Sequence, residues 1–400
     1  MVSGIRGKLR KIETPFYLYD EQSILKNIAF LKDMFSECRV RLFYAVKANN
    51  AVSVLKLINQ EGVGAEVVSP GEIFVSKKAG FQSSEILYNN VAKKKDEILY
   101  AIKKGVRYFN FEAIDQANLL EKCARKAKKK IKLFVRINPG IFSKTHSHLS
   151  TGAPLSKFGI EKKELKRVAD LIKKFAYAEL VGIHSHIGSQ ILAPAPFIRA
   201  AKNVMKIIDF FRKKQIEIRY INLGGGFGIP YRPGESRLDF VPIADAYRKL
   251  ADSYGVSIFL EPGRCIVGEA GYIVTKVISI KKRNGVKLYI VDADMTENPR
   301  PAIYRAYHHI EPLFSKQGRK QKSRIAGSLC ENSNEFGVYK LPSLKIGDML
   351  LIHNSGAYTR TMGSNYNGRL LAPEYSVDRG RIRKIRSRQQ FINLIENERY

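Results

Sequence analysis

The chain has no apolar run approaching the ~18 uncharged residues that a membrane-crossing helix needs, so nothing in its 400 residues reads as a span. Its opening stretch, MVSGIRGKLRKIETPFYLYD, is basic but lacks an apolar core and a small-residue cleavage site, so no secretory signal is expected. Cysteine is scarce. The four present, Cys38, Cys123, Cys265 and Cys330, are scattered and form no CxxC pair. That disfavours a structural zinc site, and it fits free thiols in a reducing cytoplasm. No internal repeat and no low-complexity linker is found.

Acidic residues are also in short supply, 37 against 69 lysines and arginines, for a net charge of +32. A basic chain of this kind can serve a nucleic acid or another anionic surface. Here, however, the lysines fall in short runs on predicted helices (Lys93–Lys95, Lys128–Lys130, Lys162–Lys163, Lys173–Lys174), with no interleaved aromatics to stack on bases. They read as the solvated faces of outer helices, and no specific nucleic-acid partner is expected.

Four hundred residues exceed the usual size of one hydrophobic core, and 44% hydrophobic residues can fill more than one. Short apolar or β-branched runs occur at 42–46, 64–68, 86–90, 108–112, 132–138, 180–187, 220–225 and 258–263. Between them lie segments with apolar residues at three- and four-residue spacing, such as 52–60, 96–105, 163–175 and 242–255. Eight strands alternating with helices predict a closed TIM-type (β/α)8 barrel over 21–265. An open doubly wound sheet is the other possibility, but the sequence shows no place for its strand-order reversal. After 265 the texture changes to strands without long helices, so 266–400, joined by 1–20, reads as a mainly antiparallel β-domain that completes the active site. The polar loop 139–157 is long enough to be functional or mobile.

Barrel enzymes carry their chemistry where the strands end. Those ends collect Lys47, Glu66, His186, the triglycine Gly224–Gly226, Glu261 and Arg264. A triglycine turn between strand and helix lets backbone N–H groups approach a phosphate. A lysine flanked by apolar residues, as in YAVKANN, is suited to Schiff-base chemistry. An opposed carboxylate such as Glu261 would keep a pyridine nitrogen protonated and make the ring an electron sink. The set points to a phosphorylated aldehyde cofactor. The HxH pair His184/His186 lacks the further ligands of a metal site, so no metal is expected, and His184 reads as packed barrel interior. His308 and His309 follow a helix or turn and read as no more buried than exposed.

The motifs TPFYLYD, FYAVKANN, THSHLSTG with KFGI, HSHIGSQI, NLGGGFGIPY, EPGR, RPAIYRAYH, LCEN, SGAY and SNYNGR run nearly the length of the chain. In these the chain resembles the fold-type III pyridoxal-phosphate-dependent decarboxylases, most closely the diaminopimelate decarboxylases among them. The resemblance implies an alanine racemase-like barrel with pyridoxal 5'-phosphate on Lys47. His186 would stack on the ring, Ser189, Gly224, Gly225 and Gly226 would hold the phosphate with Tyr358, and Glu261 would face the pyridine nitrogen. It further implies that Cys330 arrives from the partner subunit as the acid that reprotonates the substrate carbon, hence a homodimer with shared sites. Substrate contacts would fall to Arg264 and Arg300 for a distal carboxylate and to Glu331 for a distal ammonium, with Tyr304 and Tyr358 assisting. The reaction so implied is meso-diaminopimelate to L-lysine and carbon dioxide.

Four departures from the family pattern stand out. The usual Asp after strand two is Glu66, CESxD reads CENSN (Cys330 to Asn334, with Asn332 changed), DAGM reads DADM (Asp292 to Met295), and DAGAY reads NSGAY (Asn354 to Tyr358). They keep open a same-fold decarboxylase of another amino-acid-like substrate in secondary metabolism, either a carrier-protein-bound aminoacyl group or a siderophore intermediate. A non-enzymatic binding protein is disfavoured by the presence of Lys47, His186, Glu261 and Cys330 together. An alanine racemase would not need Glu331 beside Cys330. Arg300 could also serve only to bridge domains.

Overall fold

The chain is described here from a computed structural model, over residues 2–141 and 156–399. All but the ends of the 139–157 loop, and with it the motif THSHLSTG, lies outside the described residues. No helix among the described residues is long and apolar enough to cross a membrane. The chain divides into two compact units, one of residues 27–229 and 236–265, the other of 1–26, 230–235 and 266–400.

In the first unit eight parallel strands close into a barrel. They are β2 (Val40–Ala45), β3 (Gly64–Val67), β4 (Ile86–Tyr88), β5 (Tyr108–Phe111), β6 (Ile131–Arg136), β7 (Ala178–His184), β8 (Tyr220–Asn222) and β9 (Ser257–Leu260), with β9 pairing back onto β2. The intervening helices bury one stripe each. In Leu165–Ile172 the buried residues are Leu165, Val168, Ala169 and Ile172, the i, i+3, i+4, i+7 positions of one face. Pro70 begins the helix Pro70–Lys78, where the Ser69 side chain caps the Glu72 N–H. The helix Val241–Tyr254 stops at Gly255, whose φ of 62° places it in the left-handed region.

The other unit is a nine-stranded mixed sheet. Strand β1 (Phe16–Asp20) lies between β10 (Gly271–Arg283) and β16 (Glu374–Asp378), and β17 (Arg381–Arg386) follows on the outer side of β16. On the other side of β10 come β11 (Val286–Val291), β13 (Gln321–Ala326) and β14 (Glu335–Leu341), while β12 (Ile310–Pro312) and β15 (Met349–Ile352) form a branch through β10. The pairing is antiparallel except between β1 and β16 and between β11 and β13. Its core gathers Leu9, Phe16, Leu18, Val274, Leu351 and Val377. Gly356 lies backbone to backbone against the turn before β10, where a Cβ would stand 1.7 Å from the Val267 carbonyl oxygen. No larger residue fits that place in SGAY.

The lysine runs are not all solvated. Lys128–Lys130, Lys162–Lys163 and Lys173–Lys174 are exposed, as are Lys94 and Lys95, but Lys93 is 3% exposed. Its Nζ donates to the carbonyls of Asn110 (2.6 Å) and Asn90 (3.0 Å) and lies over the Tyr88 ring.

Two of the family departures turn out to be one exchange. The Asp294 carboxylate, where the family pattern has glycine, accepts from the N–H groups of Ser328 and Leu329 and from Asn334 Nδ2 at 2.9 Å. Asn334 Oδ1 in turn accepts from the Met295 N–H at 2.7 Å. The carboxylate that the family pattern keeps at 334 is here at 294, and an amide at 334 donates to it. The loop holding Cys330 is fastened at both ends by this pair. Asn334→Asp alone would set two buried carboxylates in contact and should cost roughly 3 kcal/mol, the range for an uncompensated buried charge. Asp294→Gly combined with Asn334→Asp should recover most of that loss. Urea-denaturation midpoints of the single and double variants measure the coupling, and additive effects would contradict it.

Candidate active site

Side chains that point into a parallel barrel recur every second residue along each strand and stack in layers. The lower layer here is largely aromatic: Phe43, Leu87, Tyr108, Phe134, Val181 and Phe259, with Tyr220 packed against them. Gly64 and Gly182 make room for it, since a Cβ on Gly64 would stand 2.7 Å from the Phe43 ring and one on Gly182 2.5 Å from the Phe134 ring. Two residues further along the same strands the interior turns polar. Gly64 leads to Glu66, Leu87 to Asn89, Tyr108 to Asn110, Phe134 to Arg136, Gly182 to His184, Tyr220 to Asn222 and Phe259 to Glu261. All seven of these polar residues are buried.

Most buried polar groups are partnered, and much of this layer is tied together, with Asn89 Oδ1, Asn110 Oδ1 and His184 Nε2 left without a hydrogen bond. Asn222 Nδ2 donates to Glu261 Oε1 at 2.7 Å, while Asn222 Oδ1 accepts from the Gly224 N–H at 2.8 Å. Asn110 Nδ2 lies 2.8 Å from His184 Nδ1, and His184 Nε2 is 3.7 Å from Glu261 Oε2. If Asn110 donates, the His184 proton sits on Nε2 and faces Glu261. Arg136 pairs with Glu112 at 2.7 Å, and Glu112 also accepts from the Gly159 N–H. Burial holds the His184 imidazole well below its ordinary range, with Arg136 and His186 adding to the effect. Burial, reinforced by the Glu66 carboxylate, pushes the Glu261 carboxyl up to about 7. Burial pulls the Lys93 ammonium down to about 7, against the attraction of Glu112. The interior thus holds a carboxyl and an amine that both change charge near neutrality.

One further step brings the side chains to the rim. Lys47 lies on the single 3-10 turn Val46–Ala48 that follows β2, just past the strand end rather than on it. Its Nζ donates to both Glu66 oxygens, at 2.7 and 3.0 Å. The lysine expected among apolar neighbours therefore stands against a fully buried carboxylate, with its own side chain 39% exposed. His186 falls two residues beyond the end of β7. Loss of solvent and the charges of Arg136 and Lys47 hold its imidazole well below the usual range.

The triglycine turn closes against His186. A Cβ on Gly224 would stand 2.4 Å from His186 Nδ1, one on Gly225 2.1 Å from the Glu261 carbonyl oxygen, and one on Gly226 2.1 Å from that of Gly188. Gly224 and Gly226 also have φ of 66° and 95°, so all three positions exclude a side chain. The result is a cradle of bare backbone beside a half-buried imidazole. Arg264, 5% exposed, donates from Nη2 to Ser189 Oγ at 3.1 Å. Its place is with the serine expected to hold a phosphate. A phosphorylated pyridine aldehyde fits these donors. The glycine cradle, Ser189 and Arg264 match a phosphate, Lys47 an aldehyde, and Glu261 a ring nitrogen.

Within the second unit, Arg300 opens the short helix Arg300–Tyr304 and is 3% exposed. Its Nη1 donates to Tyr231 Oη at 2.7 Å and lies 2.9 Å from His308 Nε2, and the guanidinium covers the Tyr231 ring. His308, which the sequence does not mark as buried, is fully so. Its Nδ1 meets the His353 carbonyl at 2.8 Å, leaving Nε2 to accept from Arg300. Tyr304 is half-buried, and Cys330, Glu331 and Asn332 are exposed. Tyr358 and Asn354 take left-handed backbone, φ 56° and 54°, and Asn354 Nδ2 donates to the Pro230 carbonyl at 2.8 Å.

Asn89, Asn110, Arg136, Asn222, Lys93 and His308 do not emerge from the sequence reading. The first four carry a signal, since each follows an interior residue at a two-residue step on its strand. Lys93 is hidden in a lysine run, and His308 has no such signal.

The family described as "Pyridoxal-dependent decarboxylase, pyridoxal binding domain" matches residues 21–268. A diaminopimelate decarboxylase of Aquifex aeolicus is 35% identical over 384 residues, 96% of this chain and 91% of that protein. Among solved structures, diaminopimelate decarboxylase from Helicobacter pylori complexed with L-lysine superposes with a TM-score of 0.92 at 33% identity, covering 98% of each chain. That from M. jannaschii in co-complex with L-lysine gives 0.93 at 33% identity, covering 99% of this chain and 94% of the other. On the match across its barrel and the likeness over nearly its whole length, the chain belongs to the pyridoxal-dependent decarboxylases.

Proposed function

We propose that this chain decarboxylates meso-diaminopimelate to L-lysine. The observation that carries the reading is the rim of the barrel, where Lys47 held by Glu66, Glu261 held by Asn222, and the bare triglycine turn are brought together. Likeness to diaminopimelate decarboxylases over 96% of the chain supports the choice of substrate. The departures at 294 and 334, two of those that keep a carrier-bound or siderophore-type substrate open, are accounted for by a hydrogen bond between the Asp294 carboxylate and the Asn334 amide. Asn354 is accounted for by its bond to Pro230.

Pyridoxal phosphate supplies an aldehyde that captures an amine and a ring that accepts the electron pair released as the carboxylate leaves. Lys47 is the amine that binds it, and Glu66 orients Nζ and balances its charge. Glu261 would face the ring nitrogen and hold the proton there. Its elevated affinity for protons would fall with a cation facing it, because an opposite charge favours the carboxylate. Gly226, Ser189 and Tyr358 would hold the phosphate. Arg264 belongs to that end as well, on the strength of its bond to Ser189, rather than to the distal carboxylate. The Gly224 N–H is already taken by Asn222 and the Gly225 N–H by His186 Nδ1, so these two glycines contribute space and not donors. His186 would pack on the ring.

The substrate's distal carboxylate pairs with Arg300, which Tyr231 and His308 hold in place, and its distal ammonium with Glu331, flanked by Tyr304. As the bond between Cα and the carboxylate breaks, carbon dioxide departs, and the thiol of the partner subunit's Cys330 delivers a proton to Cα. The exposure of Cys330 and Glu331 supports such a shared homodimeric site. The four free cysteines fit a reducing cytoplasm.

Four outcomes test this reading. Borohydride reduction followed by mass spectrometry should find the cofactor mass on Lys47 and none on the Lys47→Ala chain; retention elsewhere contradicts the assignment. Mixing Lys47→Ala with Cys330→Ala chains should restore about a quarter of wild-type activity after subunit exchange, since random pairing leaves one intact site in each hybrid dimer. Arg300→Leu should lower kcat/KM for diaminopimelate by about two decades, the scale of a lost buried ion pair, with covalent cofactor attachment unchanged. If a substrate panel ranks ornithine, lysine or carrier-bound aminoacyl groups above diaminopimelate, the substrate assignment fails while the fold and cofactor stand.

A further inference from the structure

Strand β15 pairs with β10 on one side and β12 on the other, and Ile352 is aligned with both Ile273 and Ile310. These three isoleucines are buried. One residue outward along each strand the ladder continues, with the His353 N–H donating to the His309 carbonyl at 2.9 Å. Tyr272, His353 and His309 therefore form a row across three strands, on the face opposite the isoleucines. Glu311 is two residues from His309 on β12 and so joins that face. All four are half-buried.

The side chains converge. The His309 and His353 rings have centroids 5.2 Å apart, Glu311 Oε1 is 3.1 Å from His353 Nε2, and one ligand-type atom from each of the three lies within 4.8 Å of the others. The Tyr272 ring stands edge-on to His353 and closes one side. A pairing of His353 with Glu311 alone would explain one contact. It leaves His309 Nδ1, which is buried and has no hydrogen-bond partner, and a buried ring nitrogen without a partner is costly.

We propose that His309, Glu311 and His353 form a binding site for a divalent transition-metal ion of the zinc type, with water completing the coordination. Two imidazole nitrogens and one carboxylate oxygen are the ligands such an ion takes in open sites, at about 2.0–2.2 Å each. Tetrahedral bonds of that length place the ligand atoms about 3.4 Å apart, a contraction that side-chain rotation supplies without moving the ladder. Carboxylate-only cations such as calcium and magnesium prefer all-oxygen sets and fit poorly. The ion would clamp β12 to β15 at the edge of the core that Val274, Leu313 and Leu351 share.

The test uses tag-free, cofactor-loaded protein, stripped with a chelator and dialysed. Titration with Co2+ should give one equivalent per chain, with visible ligand-field absorption that Zn2+ abolishes by displacement. Glu311→Gln, which keeps the shape and the hydrogen bond to His353, should weaken binding at least about tenfold, and His309→Ala with His353→Ala about a hundredfold or more, since even outer-shell changes reach that range. Cys330→Ser should bind like wild type, which separates the site from thiolate capture. Unchanged circular dichroism of the metal-free variants would show that they fold. The proposal is overturned by absence of saturable binding at micromolar ion, by binding that survives the double histidine change, or by binding lost in Cys330→Ser.

Discussion

An eight-stranded barrel encloses a space just wide enough for side chains to fill, and each strand contributes at two-residue intervals. Once Phe43, Tyr108, Phe134, Tyr220 and Phe259 occupy one level, the next level is fixed in height and membership by the covalent spacing of the strands. In this chain that level is Glu66, Asn89, Asn110, Arg136, His184, Asn222 and Glu261. The aromatic floor excludes water beneath it. The polar layer therefore draws its partners from within the barrel, as where Asn222 bridges Glu261 to the glycine turn and Glu112 locks Arg136, although Asn89 Oδ1, Asn110 Oδ1 and His184 Nε2 find none. Rim geometry is inherited from packing several ångströms below.

Grouping several charges in so dry an interior moves their proton affinities toward each other. Glu261 rises and Lys93 falls until both meet near neutrality, because each would be costly to keep charged alone. The pairing of Lys47 with Glu66 holds opposite charges 2.7 Å apart at the boundary between the dry layer and the rim. A cationic ring nitrogen facing Glu261 and a phosphate facing the cradle and Arg264 would complete this balance.

The barrel itself was legible, since alternation of strand and helix patterns is imposed by the fold's two periodicities, and the rim residues followed from looking just past each strand. The strands prove shorter than the apolar runs suggest, so that Lys47 and His186 sit on the turns after β2 and β7. Apolar character continues into those turns because the turns are buried too. The polar layer was hidden because a period-2 pattern marks a residue as inward without saying what satisfies it. Lys93 was obscured by neighbours that do face solvent. His308 became intelligible only through Tyr231, 77 positions before it in the chain, which no local pattern can bring together. The Cys330 loop was legible only in part. Its altered letters keep another substrate open when read one by one, whereas the structure joins the carboxylate at 294 to the amide at 334.

The exchange at 294 and 334 constrains the order in which such a loop can change. Starting from glycine at 294 and aspartate at 334, gaining the second carboxylate first puts two buried anions together, whereas losing the first to an amide leaves only unsatisfied N–H groups, at about 1–3 kcal/mol each. The second route is the shallower. A lineage reaching the present arrangement is expected to have passed through a slack loop rather than a repulsive one, and transplanting either residue singly between relatives would retrace half a path and stop at its lowest-stability point.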